Sequence, residues 1–159
     1  MNYSNRLDWN ELYVGLKKYL EKGGWNIKVV TGNNGEYKDF CYAAVNDSIK
    51  EIVLCYDKKW RSDKRYRIFV LSLVHELGHI INFRYYDFDS ELGTRASSYI
   101  CNLYEEVCAW EEGIRCCFEN IEEFRKLGKR EREKFFMHYK LFSNECLRTY
   151  IRECYMKLF

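Results

Sequence analysis

His75-Glu76-Leu77-Gly78-His79, flanked by the apolar pairs Leu73-Val74 and Ile80-Ile81, decides how the rest of the chain is read. On a helix of 3.6 residues per turn, positions four apart stand roughly 40° from each other, so the two imidazoles share a face. Two imidazoles so placed are half of a zinc site. Glu76, about 60° round from His79, can reach a water at the metal without being a ligand, which is a general base's position. The competing reading is a buried histidine pair with no metal. Its weakness is the cost of burying polar groups without partners.

Around that motif, 159 residues suffice for one core and are too few for two ordinary domains. The expectation is a single domain over 1–159. Its sheet and active-site helices run to about residue 118, and a helical extension follows over 119–159. Aromatic residues make up 18% and charged residues 31%, enough apolar bulk and surface charge to exclude disorder. A net charge of +2 is too small to argue for direct contact with nucleic acid. The local run Lys58, Lys59, Arg61, Lys64, Arg65, Arg67 reads as a solvated helix start. Eight cysteines contain no Cys-x-x-Cys pair, and Met1 to Arg6 lacks an apolar signal core. No stretch is long enough to span a membrane. A cytoplasmic protein follows, its thiols reduced and packed as small hydrophobes.

Leu12, Val14, Leu16, Tyr19 and Leu20 recur at helical spacing behind Asp8, a good cap, and Gly23-Gly24 ends that helix. Strands are predicted near Trp25–Val30, Phe40–Val45 and Glu51–Tyr56. Their turns are Gly32-Asn33-Asn34-Gly35 and Asn46-Asp47-Ser48, and connections that tight imply an antiparallel sheet. The motif helix runs from about Asp63 to Arg84, apolar nearly all round, as suits the middle of a domain. Gly78 in its interior costs roughly 1 kcal/mol against Ala, so something must need the space. Tyr85 to Gly93 reads as a loop, and Thr94 caps a second long helix to about Phe118. Asn120 with Glu123 resembles a capping box for a short helix, which Gly128 interrupts. Lys129 to Phe159 is helical, with Phe135, Tyr139, Phe142, Leu147, Tyr150, Ile151, Cys154 and Leu158 facing inward. The fold class is α+β: about three strands in a small sheet on a mainly helical body, with the motif on a central helix.

A chemically active zinc needs a third protein ligand. On the second long helix, Glu106 and Glu111 flank the apolar stripe of Ile100, Leu103, Val107, Trp110 and Ile114, while Glu105 and Glu112 point away. The wheel admits both Glu106 and Glu111. A donor for a tetrahedral oxyanion is sought in Tyr99, seven residues before Glu106, or in His138, the one spare imidazole. The strand Ile52 to Tyr56, directly before the motif helix, is the candidate edge for an extended peptide.

The order of these parts, with Leu73-Val74-His75-Glu76-Leu77-Gly78-His79 and then Glu106-Val107-Cys108-Ala109-Trp110, resembles the ImmA/IrrE-like zinc metallopeptidases. The likeness covers roughly Trp9 to Phe118. It implies a reduced thermolysin-like (gluzincin) fold, one Zn2+ held by His75, His79 and Glu106 of a Glu-x-x-Ala segment, and Glu76 as catalytic base. It further implies cleavage of a protein substrate such as a DNA-binding transcriptional repressor supplied in trans. Trp110 stands where related proteins often carry Asn or Asp, which shifts support of a histidine ligand to Asn102 or Glu111. The rival is a non-catalytic zinc-binding regulator that docks a protein partner.

Overall fold

The computed structural model describes residues 6–32, 43–85 and 95–158, with backbone alone for 44, 83–85, 95–102 and 157–158. The fold is α+β, mainly helical with one three-stranded sheet. α1 spans Trp9–Lys22 and starts on Asp8, whose carboxylate accepts from the backbone N–H groups of Asn10 and Glu11 at 3.0 and 3.1 Å. Leu12, Leu16 and Leu20, spaced by four, are buried on one face. Gly23 then closes the helix onto the carbonyls of Tyr19 and Leu20.

The sheet is mixed rather than antiparallel. β1 (Asn26–Thr31) and β2 (Ala43–Asn46) do not form a hairpin; β3 (Glu51–Tyr56) inserts between them in the order β1-β3-β2. β3 pairs antiparallel with β2 across a short 3-10 turn and left-handed Lys50, and parallel with β1, Asn26 opposite Glu51 through Thr31 opposite Tyr56. A parallel pair cannot be joined by a tight turn, and β1 and β3 are separated in sequence by β2 and the 3-10 turn. β3 is therefore the middle strand and offers no edge to a peptide, contrary to the expectation from sequence. Its unbroken run Ile52-Val53-Leu54-Cys55 is buried throughout, as a strand flanked on both sides and covered on its faces should be. The Asn33–Gly35 part of the predicted turn and residues 40–42 of the return strand lie outside the described residues.

α2 spans Ser62–Tyr85, carries the motif, and contacts α1, β2, β3 and α3 (Arg95–Asn120). Its residues from Ile68 to Val74 are buried without interruption. Tyr85, predicted to open a loop, is instead the last residue of α2, and 86–93 and the Thr94 cap lie outside the described residues. A Cβ added to Gly78 would come within 2.7 Å of the Ala109 Cα and overlap the Ala109 carbonyl; one added to Gly113 would fall 2.9 Å from the Val74 carbonyl carbon. The space that Gly78 keeps open is thus taken by the backbone of α3. Each helix gives up a side chain to the other, so the two axes approach where His75, His79 and Glu106 project.

Asn120 is not a cap: it is the last residue of α3 and donates to the Cys116 carbonyl at 3.1 Å, while buried Ile121 occupies the cap position of the one-turn α4 (Glu122–Arg125). The reciprocal bond of a capping box appears one element later, where the Gly128 N–H donates to the Glu131 carboxylate at 2.8 Å at the start of α5 (Lys129–Leu158). α5 packs on α3 through an aromatic cluster built around fully buried Phe124 and Phe135, with Phe118, Tyr139 and Trp9 against them. Ile151, predicted inward, is exposed. Cys55 and Cys117 are buried free thiols, and the described cysteines form no disulfide. No described helix is long and apolar enough to cross a membrane.

Candidate metal centre

His75 and His79 extend from one face of α2, as their spacing requires, with ring centroids 4.5 Å apart and Nε2 atoms 3.0 Å apart. Across the helix crossing, Glu106 brings Oε2 to 3.0 Å from His75 Nε2 and Oε1 to 3.4 Å from His79 Nε2. Among the described residues these three form a group able to hold a metal ion, all ligand atoms lying within 4.8 Å of one another. Tetrahedral zinc with bonds of roughly 2.0–2.1 Å places its ligand atoms about 3.3 Å apart, and the three separations bracket that value. Glu111 is not in the group. It borders a groove with Cys108, Glu112 and Cys116 farther round α3, so the choice left open by the wheel falls on Glu106.

The polar groups of this centre are poorly satisfied by the protein alone. Glu106 Oε2 is buried and makes no well-formed hydrogen bond, although His75 Nε2 stands 3.0 Å away. The two atoms face each other at a separation that a cation held between them would suit, satisfying both. The chemistry of the donors, two imidazoles and a carboxylate, suits zinc as well as other divalent transition metals.

The charges respond to the same crowding. Burial pushes the Glu106 carboxyl up, but the close polar contacts and charge of His75 and His79 outweigh it and hold the group down at about 2. For His79, burial acts downward, and the Glu106 hydrogen bond and charge, helped by Glu76 and Glu105, raise it above the ordinary 6.5. Glu76, buried beside the centre, is raised above the ordinary carboxylate range, chiefly by desolvation, against the pull of the two histidines. A carboxyl shifted in that direction is suited to taking up a proton near neutrality.

Trp110 supports His75 by stacking: the rings lie 4.3 Å apart at 25°, with the indole 3% exposed. α5 fixes the tryptophan in turn, the Tyr139 hydroxyl donating to the Trp110 carbonyl at 2.9 Å and Tyr139 and Phe142 packing edge-on to the indole. His75 Nδ1 has no hydrogen-bond partner, and Glu111 does not supply one. The side chains of Asn102 and Tyr99 lie outside those described. His138 sits elsewhere, its ring edge-on to Trp9 at 5.5 Å, close to Arg67 and Asp63, with burial and then Arg67 lowering its pKa.

Among the described residues, a cavity reaches the motif. About 340 Å³ in volume, it is bordered by His75 and Glu76 of α2, Ala43 of β2, Trp110 of α3 and the segment Phe142–Glu153 of α5. From sequence, the helices after Asn120 are candidates to lid the site, bind a partner or only complete the core; α5 borders this cavity through Phe142 and Tyr150, eight residues apart on one helix face. No family model, characterised protein or solved structure matches the chain.

Proposed function

We propose that the chain is a zinc-dependent endopeptidase of ImmA/IrrE-like type, acting on a peptide bond of a protein substrate. The observation that carries this reading is a buried carboxyl, Glu76, next to three converging ligand atoms and open to a cavity. A docking site would need the ligands but not the base. Zinc, when bound, supplies Lewis acidity toward a water and a substrate carbonyl. His75, His79 and Glu106 hold and orient it. Glu76 accepts a proton from the water and returns it to the leaving amine. Stacked Trp110 fixes the His75 ring and keeps bulk water off its inner face.

Among the described residues β2 is the edge strand beside this site, since Ala43 lines the cavity while β3 is enclosed. An extended substrate adds alongside β2, its backbone supplied with hydrogen-bond partners and a side chain directed into the cavity. In keeping with the resemblance, the substrate class we assign is a DNA-binding repressor. The test is cleavage of candidate repressors by zinc-loaded wild type and by Glu76→Gln. Loss of cleavage in the variant, with zinc content unchanged, supports the reading. Zinc binding with no cleavage by wild type would replace it with a docking role.

A further inference from the structure

We infer that the cavity beside Glu76 is a subsite for one lysine or arginine side chain of the bound peptide, with Glu153 of α5 as its counter-charge. The inference rests on the peptidase reading and adds the chemistry of the residue taken. At about 340 Å³ the cavity is at the small end of ligand sites, with room for one long side chain. Its floor is buried, formed by Ser72 and Trp110 next to Glu76, and its rim is exposed, formed by Thr149 and Glu153. Aromatic rings line the wall from floor to rim: Trp110, Phe142 and Tyr150.

Only one kind of side chain matches an apolar, aromatic shaft with a carboxylate at its mouth. Lysine and arginine lay their methylene stems along apolar surface and carry the charge at the tip, and the tip gains from both carboxylate and ring faces. Among the described residues lining the cavity, Glu153 is the charged group at the rim; Glu76 lies at the inner end beside the metal ligands, where its charge is set against the cation they would hold. Arg148 and Arg152, neighbours on α5, do not line it. A glutamate in the substrate would meet like charge; a leucine would leave Glu153 unmatched. α5 thereby supplies substrate selection and not only core.

Binding is measured by fluorescence anisotropy on zinc-loaded Glu76→Gln, with labelled alanine-serine decapeptides differing at one central position. Arginine and lysine peptides are expected to bind at least tenfold tighter than the norleucine peptide, which keeps the stem and lacks the charge, with glutamate weakest. Adding Glu153→Lys, at an exposed position that leaves folding intact, should erase the advantage of arginine and favour glutamate. Adding Phe142→Ala should weaken arginine and norleucine peptides together. Equal binding of lysine and norleucine, an unchanged order in the Glu153 variant, or no peptide binding at all overturns the inference. Cleavage by wild type is scored separately. Cleavage without a basic preference refutes the subsite and leaves the peptidase; a basic preference without cleavage does the reverse.

Discussion

Replacing Gly78 with alanine adds one methyl group where α2 and α3 cross, and its effect can be worked from the geometry. On an isolated helix the change stabilises by about 1 kcal/mol, because alanine is the better helix former. Here the new Cβ meets backbone, the Ala109 carbonyl and a Cα at 2.7 Å, where ordinary contact needs about 3.5–4.0 Å. Backbone cannot rotate away, so the helices must separate by about 1.5 Å to restore ordinary contact. Overpacking of this kind costs about 1–3 kcal/mol and here exceeds the propensity gain. The same separation pulls Glu106 from His75 and His79, whose ligand atoms are 3.0–3.4 Å apart, while metal bonds tolerate only about 0.2 Å. Thermal unfolding with and without zinc, and a chelator competition, are the assays. Gly78→Ala should lower the apo midpoint and weaken zinc at least tenfold; Gly113→Ala, facing the Val74 carbonyl, should do the same. Gly128→Ala, where the added Cβ meets only the Glu131 carboxylate at 3.5 Å, should leave zinc affinity unchanged. A Gly78→Ala protein that is more stable than wild type and binds zinc normally would refute the reasoning.

Trp110→Ala removes a buried ring stacked on His75 and should destabilise by about 3–5 kcal/mol, as large aromatic truncations do. Trp110→Phe should recover much of that stability in urea unfolding while zinc affinity stays reduced, if indole stacking orients the ligand. Tyr139→Phe loses the bond to the Trp110 carbonyl and should cost about 1 kcal/mol with a smaller loss of zinc affinity, read by the same two measurements. The pH dependence has a definite sign. His79 is raised above 6.5 in the metal-free site, so its contribution is present below 6.5 and lost as pH rises through its folded value. Glu106 is lowered to about 2, so its contribution is present above 4.5 and lost only as pH falls toward 2. The metal-free protein should therefore gain most from this centre between about pH 4.5 and 6.5. Zinc needs the imidazoles neutral, so the zinc-induced rise in Tm should grow from pH 6 to 8; a constant or falling rise contradicts the assignment.

Much of this arrangement is local and therefore legible. The i, i+4 spacing of His75 and His79 fixes their common face, and Asp8, Gly23 and the Leu12-Leu16-Leu20 stripe mark α1 through short-range interactions. The α+β class follows from the same patterns. Strand order is not local: tight turns suggest a hairpin, whereas β3 inserts between β1 and β2. The continuous apolar run Ile52–Cys55 was the available signal of a middle strand. Gly78 announces that something passes close, but only the crossing of α3 shows it to be the Ala109 backbone. The wheel treats Glu106 and Glu111 alike because both flank one stripe; the close approach at Gly78 and Gly113 brings only Glu106 into reach. α5 was opaque for a related reason. Apolar residues surround much of that helix, so its inward face, and the exposure of Ile151, depend on where α3 lies.

The most direct measurement is the zinc content of the purified, zinc-loaded and desalted protein. Wild type, Glu111→Gln and Glu76→Gln should each retain about one zinc per chain, and His75→Ala and Glu106→Gln should retain almost none. Zinc retained by Glu106→Gln, or lost from Glu111→Gln alone, would contradict the centre described.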